Sequence, residues 1–358
     1  MKGKRQSTGL VWNIIMAAIT SVSLVSTGVF GALYYRERQE VQAVMSENVV
    51  LRETQAQEVI FQETGVITNE KMEQLLAQKE SEVEESLKEK IKELVTAKDG
   101  TPLKMLRQFF PENLIYYDGE NYVFAPVLDN VKKHNLKAQN FRENEAGEME
   151  YVENGTVVSH KGIDVSKYQE KINWEKVKAD GVEYAFIRLG LRGYGSGKLV
   201  MDEYYDQNMR EASAAGVETG VYFFTQAVTV EEAVEEANYV IENLADYEVT
   251  YPIVFDVEMI VGDDGRANEL SQELRTDICI AFCDTIQAAG YTPMIYGNIR
   301  CFTQMLDMPR LEAYEKWYAF YDDYMYMPYE VSVWQYSESG SVDGIKGKVD
   351  MNISYKTW

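Results

Sequence analysis

Residues 251–260, YPIVFDVEMI, form an apolar run that ends in two carboxylates, Asp256 and Glu258, two positions apart. Side chains alternate across a strand, so residues at i and i+2 point to the same side. Two carboxylic acids flanking one bond are what glycosidic cleavage needs. The spacing alone proves little. Acidic residues number 58 of 358, so about nine such pairs arise by chance. The pair must draw its meaning from its surroundings.

Other chemistries have little to work with. The only histidines are His134 and His160, which leaves Ser-His-Asp chemistry two possible bases and argues against a histidine-rich zinc site. A net charge of −23 argues against nucleic acid, whose phosphates demand a basic face; the acidic excess reads as a solvated surface. Cys279, Cys283 and Cys301 make no disulfide framework, and the first two, four apart in a predicted helix, read as small buried apolar residues. An extracellular chain without disulfides is compatible with the large core that 46% apolar residues allow.

The elements that must position the acids lie after Gly162. Short β runs at 162–168, 184–190, 217–226, 251–259, 292–298, 316–322, 330–336 and 348–354 alternate with helical patterns near 174–180, 203–215, 230–244 and 268–290. Eight strands with regular crossovers predict a parallel (β/α)8 TIM-like barrel, shortened at its end. The rival, a doubly wound open sheet, lacks its G-x-G-x-x-G after the first strand; RGYGSGK at 192–198 follows the second and has other spacing. Chemistry in such barrels gathers at the C-terminal ends of the strands. Asp164 falls in strand one, Asp256 and Glu258 end strand four, and Asp350 falls in strand eight. Strands one and eight are neighbours in a closed barrel, so four carboxylates converge on one mouth. Tyr168, Tyr222, Tyr296, Trp317, Tyr321, Trp334 and Tyr336 share those strands and read equally as platforms for sugar rings or as barrel core.

The first 160 residues carry no comparable chemistry. Residues 10–35 are uncharged and long enough to span a bilayer. Lys2, Lys4 and Arg5 before them lean towards a cytoplasmic tail at 1–9 and everything beyond residue 35 outside, a single-pass protein of the cell membrane. A cleaved signal peptide is the alternative. Residues 36–99 read as a helical stalk. Met72, Leu76, Val83, Leu87, Ile91 and Leu94 make one apolar stripe over a helix from about 70 to 97, one that could pair with a copy of itself as a coiled coil or stand alone. Residues 100–160, with a DG turn in LIYYDGENYVFAPV and an NG turn in MEYVENGTVV, read as a small β-containing spacer before a catalytic domain at 161–358.

GIDVSKYQ, INWEKVKADGVEYAFIRLG, GVYFF, PIVFDVE, PMIYG, WYAFY, VWQYS and VDMN, in that order, resemble the glycoside hydrolase family 25 lysozymes, the muramidases, over about residues 160–358. The resemblance implies a modified (β/α)8 barrel that hydrolyses the β-1,4 bond between N-acetylmuramic acid and N-acetylglucosamine in peptidoglycan, with retention and without metal or cofactor. It matches Glu258 to the general acid, Asp256 to its carboxylate partner, and Asp164 and Asp350 to the other acids of the cleft. It leaves open whether a carboxylate or the substrate's own N-acetyl group attacks. The loop VGDDGRAN after the acid pair departs from the pattern and bears on the cleft wall. Two rivals remain: a chitinase-like glycosidase, whose D-x-x-D-x-D-x-E pattern is absent, and a non-catalytic cell-wall-binding module, which has no need of an intact acid set. A scaffold role for the stalk could coexist with catalysis.

Overall fold

The computed structural model describes Arg36 and residues 69–97, 101–262 and 264–358. The expected tail and membrane span, and the first stalk segment apart from Arg36, lie outside these residues. Among the described residues no helix is long and apolar enough to cross a membrane.

The chain divides into two compact units, residues 1–111 and 112–358. In the first, helix α1 (Asn69–Thr96) runs about 42 Å at 1.5 Å per residue. Its glutamate-rich surface is laced by pairs at helical spacing such as Lys79–Glu82 and Lys88–Glu84. Along the stripe Leu87 is buried while Leu76 is exposed. Helix α2 (Pro102–Phe109) starts on a Thr101 cap, whose hydroxyl accepts from Lys104 N at 3.1 Å, with proline at its first position. Lys90 of α1 lies 5.3 Å from the Phe109 ring.

The second unit opens with two hairpin elements. Strands β1 (Asn113–Tyr117) and β2 (Tyr122–Pro126) join at a turn where Gly119 takes φ +108° and Asp118 accepts from the backbone of Glu120 and Asn121. Strands β3 (Phe141–Glu143), β4 (Met149–Glu153) and β5 (Thr156–Val157) form a small sheet. Asn154 and Gly155, both at positive φ, turn the β4–β5 hairpin as an NG pair favours. Residues 112–160, assigned from sequence to a spacer, thus share one compact unit with residues 161–358. Tyr326 OH donates to Asn113 O and accepts from Ile115 N, and Phe141 meets Trp334 edge-on at 5.3 Å.

From His160 the strands are β6 (His160–Val165), β7 (Tyr184–Arg192), β8 (Leu199–Met201), β9 (Glu218–Phe224) and β10 (Ile253–Asp256). They continue as β11 (Pro293–Asn298), β12 (Glu315–Ala319), β13 (Val333–Gly340) and β14 (Val349–Ser354). Helices α3 (Trp174–Ala179), α4 (Tyr205–Ala214), α5 (Val230–Leu244) and α6 (Gln272–Ala288) cross between them. Asn173, Thr229 and Ser271 cap three of these helices through side-chain oxygens. The sheet runs β6-β7-β9-β10-β11-β12-β13-β14 and returns to β6, a closed eight-stranded barrel rather than an open sheet. The short β8 adds outside the ring as a hairpin on β7.

Seven strands are parallel and the eighth is not: β14 pairs antiparallel with both β13 and β6. This corrects the expectation of an all-parallel ring. A parallel return needs a crossover of about a dozen residues or more. Between Gly340 and Val349 the chain has only a short turn, with Gly344 and Gly347 at positive φ, so β14 doubles back. Below the mouth the lumen is plugged by aromatic rings. Tyr184 stacks on Tyr251 with centroids 4.4 Å apart, and Phe186 on Trp317 at 4.5 Å. Gly162 makes room for the plug, since a Cβ there would lie 2.1 Å from the Tyr184 ring. Cys279 and Cys283 are buried free thiols on α6.

Candidate active site

An open cavity of about 660 Å³ at the barrel mouth is lined by all four singled-out carboxylates, Asp164, Asp256, Glu258 and Asp350. Asp164 lies in the last turn of the pleat on β6, and Asp256 is the final residue of β10. Glu258 lies two residues past the strand, not within it. Val257 N still donates to Tyr296 O at 3.1 Å, which carries the alternation one step further and returns Glu258 to the side of Asp256. Asp350 arrives by a different route from the one expected. It sits at the start of β14, and because that strand runs backwards its beginning lies at the mouth, with Asp350 directly opposite Asp164.

Neutral amides fix the protonation pattern of that cross-strand pair. Trp317 Nε1 can only donate, and it gives its hydrogen to Asn352 Oδ1 at 2.8 Å. Asn352 must therefore turn Nδ2 towards Asp164 Oδ2, 2.8 Å away. Gln335 Oε1 accepts hydroxyls from Tyr296 and Tyr321, each at 2.9 Å, so its Nε2 likewise donates to Asp164 Oδ2 at 2.8 Å. Asp164 thus receives donors while Asp350 hydrogen-bonds to it. Burial lifts both, Asp164 to about 6 and Asp350, where the charge on Asp164 adds to burial, to about 8. The shared proton belongs on Asp350.

The DVE pair is desolvated as well. Burial, reinforced by Asp350, raises Glu258 to about 7. Asp256 is pushed well above the ordinary carboxylate range by burial, then by Glu258 and Asp164, with Arg188 opposing. Its buried Oδ1 has no hydrogen-bond partner among the described residues. A carboxylic acid that keeps its proton near neutral pH beside a carboxyl with an open acceptor is the equipment of acid-assisted bond cleavage. Among the described residues no group of three or more His, Cys, Asp or Glu is arranged to hold a metal ion.

Of the aromatic candidates, Tyr168, Tyr222, Tyr296, Trp317 and Tyr321 line the cavity. Tyr168 is the most open, 75% exposed at the rim; Trp317 is buried and serves the Asn352 bond. Trp334 is a correction. It points outside the barrel, where its Nε1 donates to Phe320 O and its ring packs on Phe141 and Tyr336, so Tyr336 lies outside too. The inward neighbour is Gln335. Sequence reasoning passed over Gln335, Asn352 and Arg188. The signal for the first two was present in the motifs VWQYS and VDMN, because Asn352 shares the parity of Asp350 and Gln335 opposes that of Trp334. RGYGSGK, dismissed as a phosphate loop, supplies cavity wall from Arg192 to Ser196. Arg192 is anchored behind it by Glu235 and Glu236 at 2.7 and 2.6 Å. The VGDDGRAN loop meets this wall: Arg266 abuts Gly197 and pairs with Glu232 at 2.8 Å.

A closed barrel whose mouth gathers buried, proton-holding carboxyls beside tyrosines suits acid-assisted cleavage of a glycosidic bond. Residues 163–345 match Glycosyl hydrolases family 25, and the chain belongs to that family. It is 29% identical over 203 residues to the uncharacterized protein YegX of Escherichia coli (strain K12), covering 54% of this chain and 68% of YegX. Lysozyme M1 of Streptomyces globisporus is 27% identical over 205 residues, 53% of this chain and 66% of that protein. Among solved structures, the modular autolysin LytC from Streptococcus pneumoniae superposes with a TM-score of 0.50 at 26% identity. That match covers 60% of this chain and 52% of LytC, so the chain spans about half of LytC's length.

Proposed function

We propose that this chain is a muramidase that cleaves the β-1,4 bond between N-acetylmuramic acid and N-acetylglucosamine in peptidoglycan, with Glu258 as general acid. The observation that carries the reading is the meeting of Glu258 with Asp256, Asp164 and Asp350 in one cavity. Similarity to a protein named lysozyme and to LytC, which has been solved in complex with a synthetic peptidoglycan ligand, supports the substrate class.

In this reading Glu258, protonated near neutral pH, gives its proton to the leaving glycosidic oxygen as the C1–O bond breaks. The acetamido oxygen of the same sugar closes on C1, while Asp256 Oδ1, which has no hydrogen-bond partner among the described residues, accepts the acetamido N–H and steadies the developing positive charge. Water then opens the ring intermediate at C1, its proton passing to Glu258, and the configuration is retained. Asp164 and Asp350, locked by Asn352 and Gln335, orient the sugar. Residues 10–35 anchor the chain in the cell membrane with the barrel outside, and residues 36–99 hold it off the bilayer.

Incubating the purified full chain with peptidoglycan and with chitin, then reducing and identifying the new chain ends, tests the reaction. Reduced N-acetylmuramic acid is expected. New N-acetylglucosamine ends, or cleavage of chitin alone, would replace this reading with the chitinase-like one. Activity that sediments with membranes, and is lost when intact cells are shaved with protease, is expected for the anchor; activity in the soluble fraction would remove it.

A further inference from the structure

Arg188 has no role in the proposed reaction, yet the fold makes unusual provision for it. It lies on β7 just before an irregularity in pairing, where Arg188 sits opposite Tyr222 and Gly190, not Leu189, sits opposite Phe223. Such bulges re-aim side chains beside active sites. Its guanidinium is clamped from behind: Nε and Nη2 both reach Asp202 Oδ2 at 2.8 Å. Asp202 is itself fixed by the backbone N–H groups of Lys167 and Tyr204, each at 3.0 Å. In front, the Tyr168 ring covers it with its centroid 5.3 Å from the guanidinium carbon, a cation–π arrangement that also screens it from water. Arg188 lines the same cavity as Asp256.

The groups facing Asp256 are otherwise acidic or neutral. Asp164 comes from β6, Tyr222 from β9, Glu258 from the loop after β10, and Tyr296 and Cys301 from β11 and the turn beyond it, with Asp350 across the cavity. Burial and the acidic neighbours favour a proton on Asp256, and Arg188 is the group that opposes it. Arg192 also lines the cavity, but it is paired with two carboxylates, Glu235 and Glu236, against the one that holds Arg188, and it is not among the groups acting on Asp256. We infer that Arg188 is a positioning residue for Asp256: clamped by Asp202 and covered by Tyr168, it holds a positive charge at the cavity that works against the proton on Asp256 and draws that group towards the carboxylate the reaction needs. This rests on the proposed reaction, in which a protonated Asp256 could not accept the acetamido N–H as an anion.

The test uses the full chain and the paired variant Arg188→Met with Asp202→Asn, which removes both charges so that no lone carboxylate is left buried. Arg188→Lys, which keeps the charge, is the second variant. The readouts are the pH profile of kcat/KM on peptidoglycan and the titration of 13C-labelled aspartate carboxyls, with Asp256 assigned through Asp256→Asn. In the paired variant the rising limb and the Asp256 titration both move up by about one pH unit or more, and in Arg188→Lys both stay close to those of the unaltered chain. Loss of activity by one factor at every pH, with the Asp256 titration unmoved, would reduce Arg188 to a structural tie and overturn the inference. An unaltered chain that fails to cleave peptidoglycan would instead overturn the proposed function, and the carboxyl titration would still report on Arg188.

Discussion

Within the barrel, one step of strand alternation separates two interiors of opposite character. On β7 the inward residue changes from Phe186 to Arg188, on β10 from Val254 to Asp256, on β6 from Gly162 to Asp164, and on β13 from Val333 to Gln335. The lower layer is an aromatic plug without charge, and its ring over Gly162 leaves no space for substrate. The upper layer is a set of buried acids tied by amides to that plug through Trp317 and Asn352. The floor therefore does two things for the mouth. It keeps water from reaching the acids from below, which is part of why their protons are held near neutral pH. It also gives the amides a rigid base, so that Asp164 cannot turn away from its donors. Stability resides in one layer and turnover in the other.

The division can be broken from either side. Glu258→Gln should lower kcat on peptidoglycan by about 10²–10⁴-fold, the range of a lost general acid, with thermal unfolding unimpaired; near-normal turnover would remove Glu258 from its role. Gly162→Ala attacks the floor. The added methyl meets the Tyr184 ring at 2.1 Å, and overpacking of this kind costs about 1–3 kcal/mol, read as a lower Tm. An unchanged Tm would mean that the plug is not close-packed.

A smaller effect lies in pH. Glu258 titrates at about 7 in the folded chain against its ordinary 4.5, so the folded state binds the proton more tightly than the unfolded one. The stability this adds is complete below about pH 4.5 and is lost as pH rises through about 7. Denaturant unfolding between pH 5 and 8 should therefore show a decline that Glu258→Gln reduces by about 2–3 kcal/mol. Parallel curves for the two proteins would place the proton elsewhere. The smallest effect is expected outside the lumen. Trp334→Phe removes one hydrogen bond, worth about 0.5–1.5 kcal/mol, and should leave KM unchanged; a large rise in KM would restore Trp334 to the cleft.

Much of the barrel was legible because each strand is a short, nearly continuous apolar run flanked by helical periodicity, the pattern that double burial imposes. The same-side argument for Asp256 and Glu258 also transferred, since alternation outlasted the strand by two residues. Strand direction was not legible from the β pattern, which reads the same both ways. The clue was the short glycine-containing link before Val349, too brief for a crossover. Trp334 reads from the sequence as a sugar platform because aromatic faces suit sugars, although parity with the neighbouring residues is the better guide. The fixed amides are hard to read from sequence for a related reason: Gln335 and Asn352 act by holding Asp164, and nothing in their own chemistry marks them as reactive.

The central claim is that Glu258 supplies the proton while Asp256 stabilises positive charge, and a substrate that needs no proton separates the two. On an aryl β-glycoside of N-acetylmuramic acid with a strongly acidic phenol as leaving group, phenol release in the first turnover, before Glu258 is needed as the base, should stay within about tenfold of the unaltered chain for Glu258→Gln, whereas for Asp256→Asn it should fall by about 10²-fold or more. Glu258→Gln as inactive on that substrate as on peptidoglycan, or Asp256→Asn unaffected, would contradict the account.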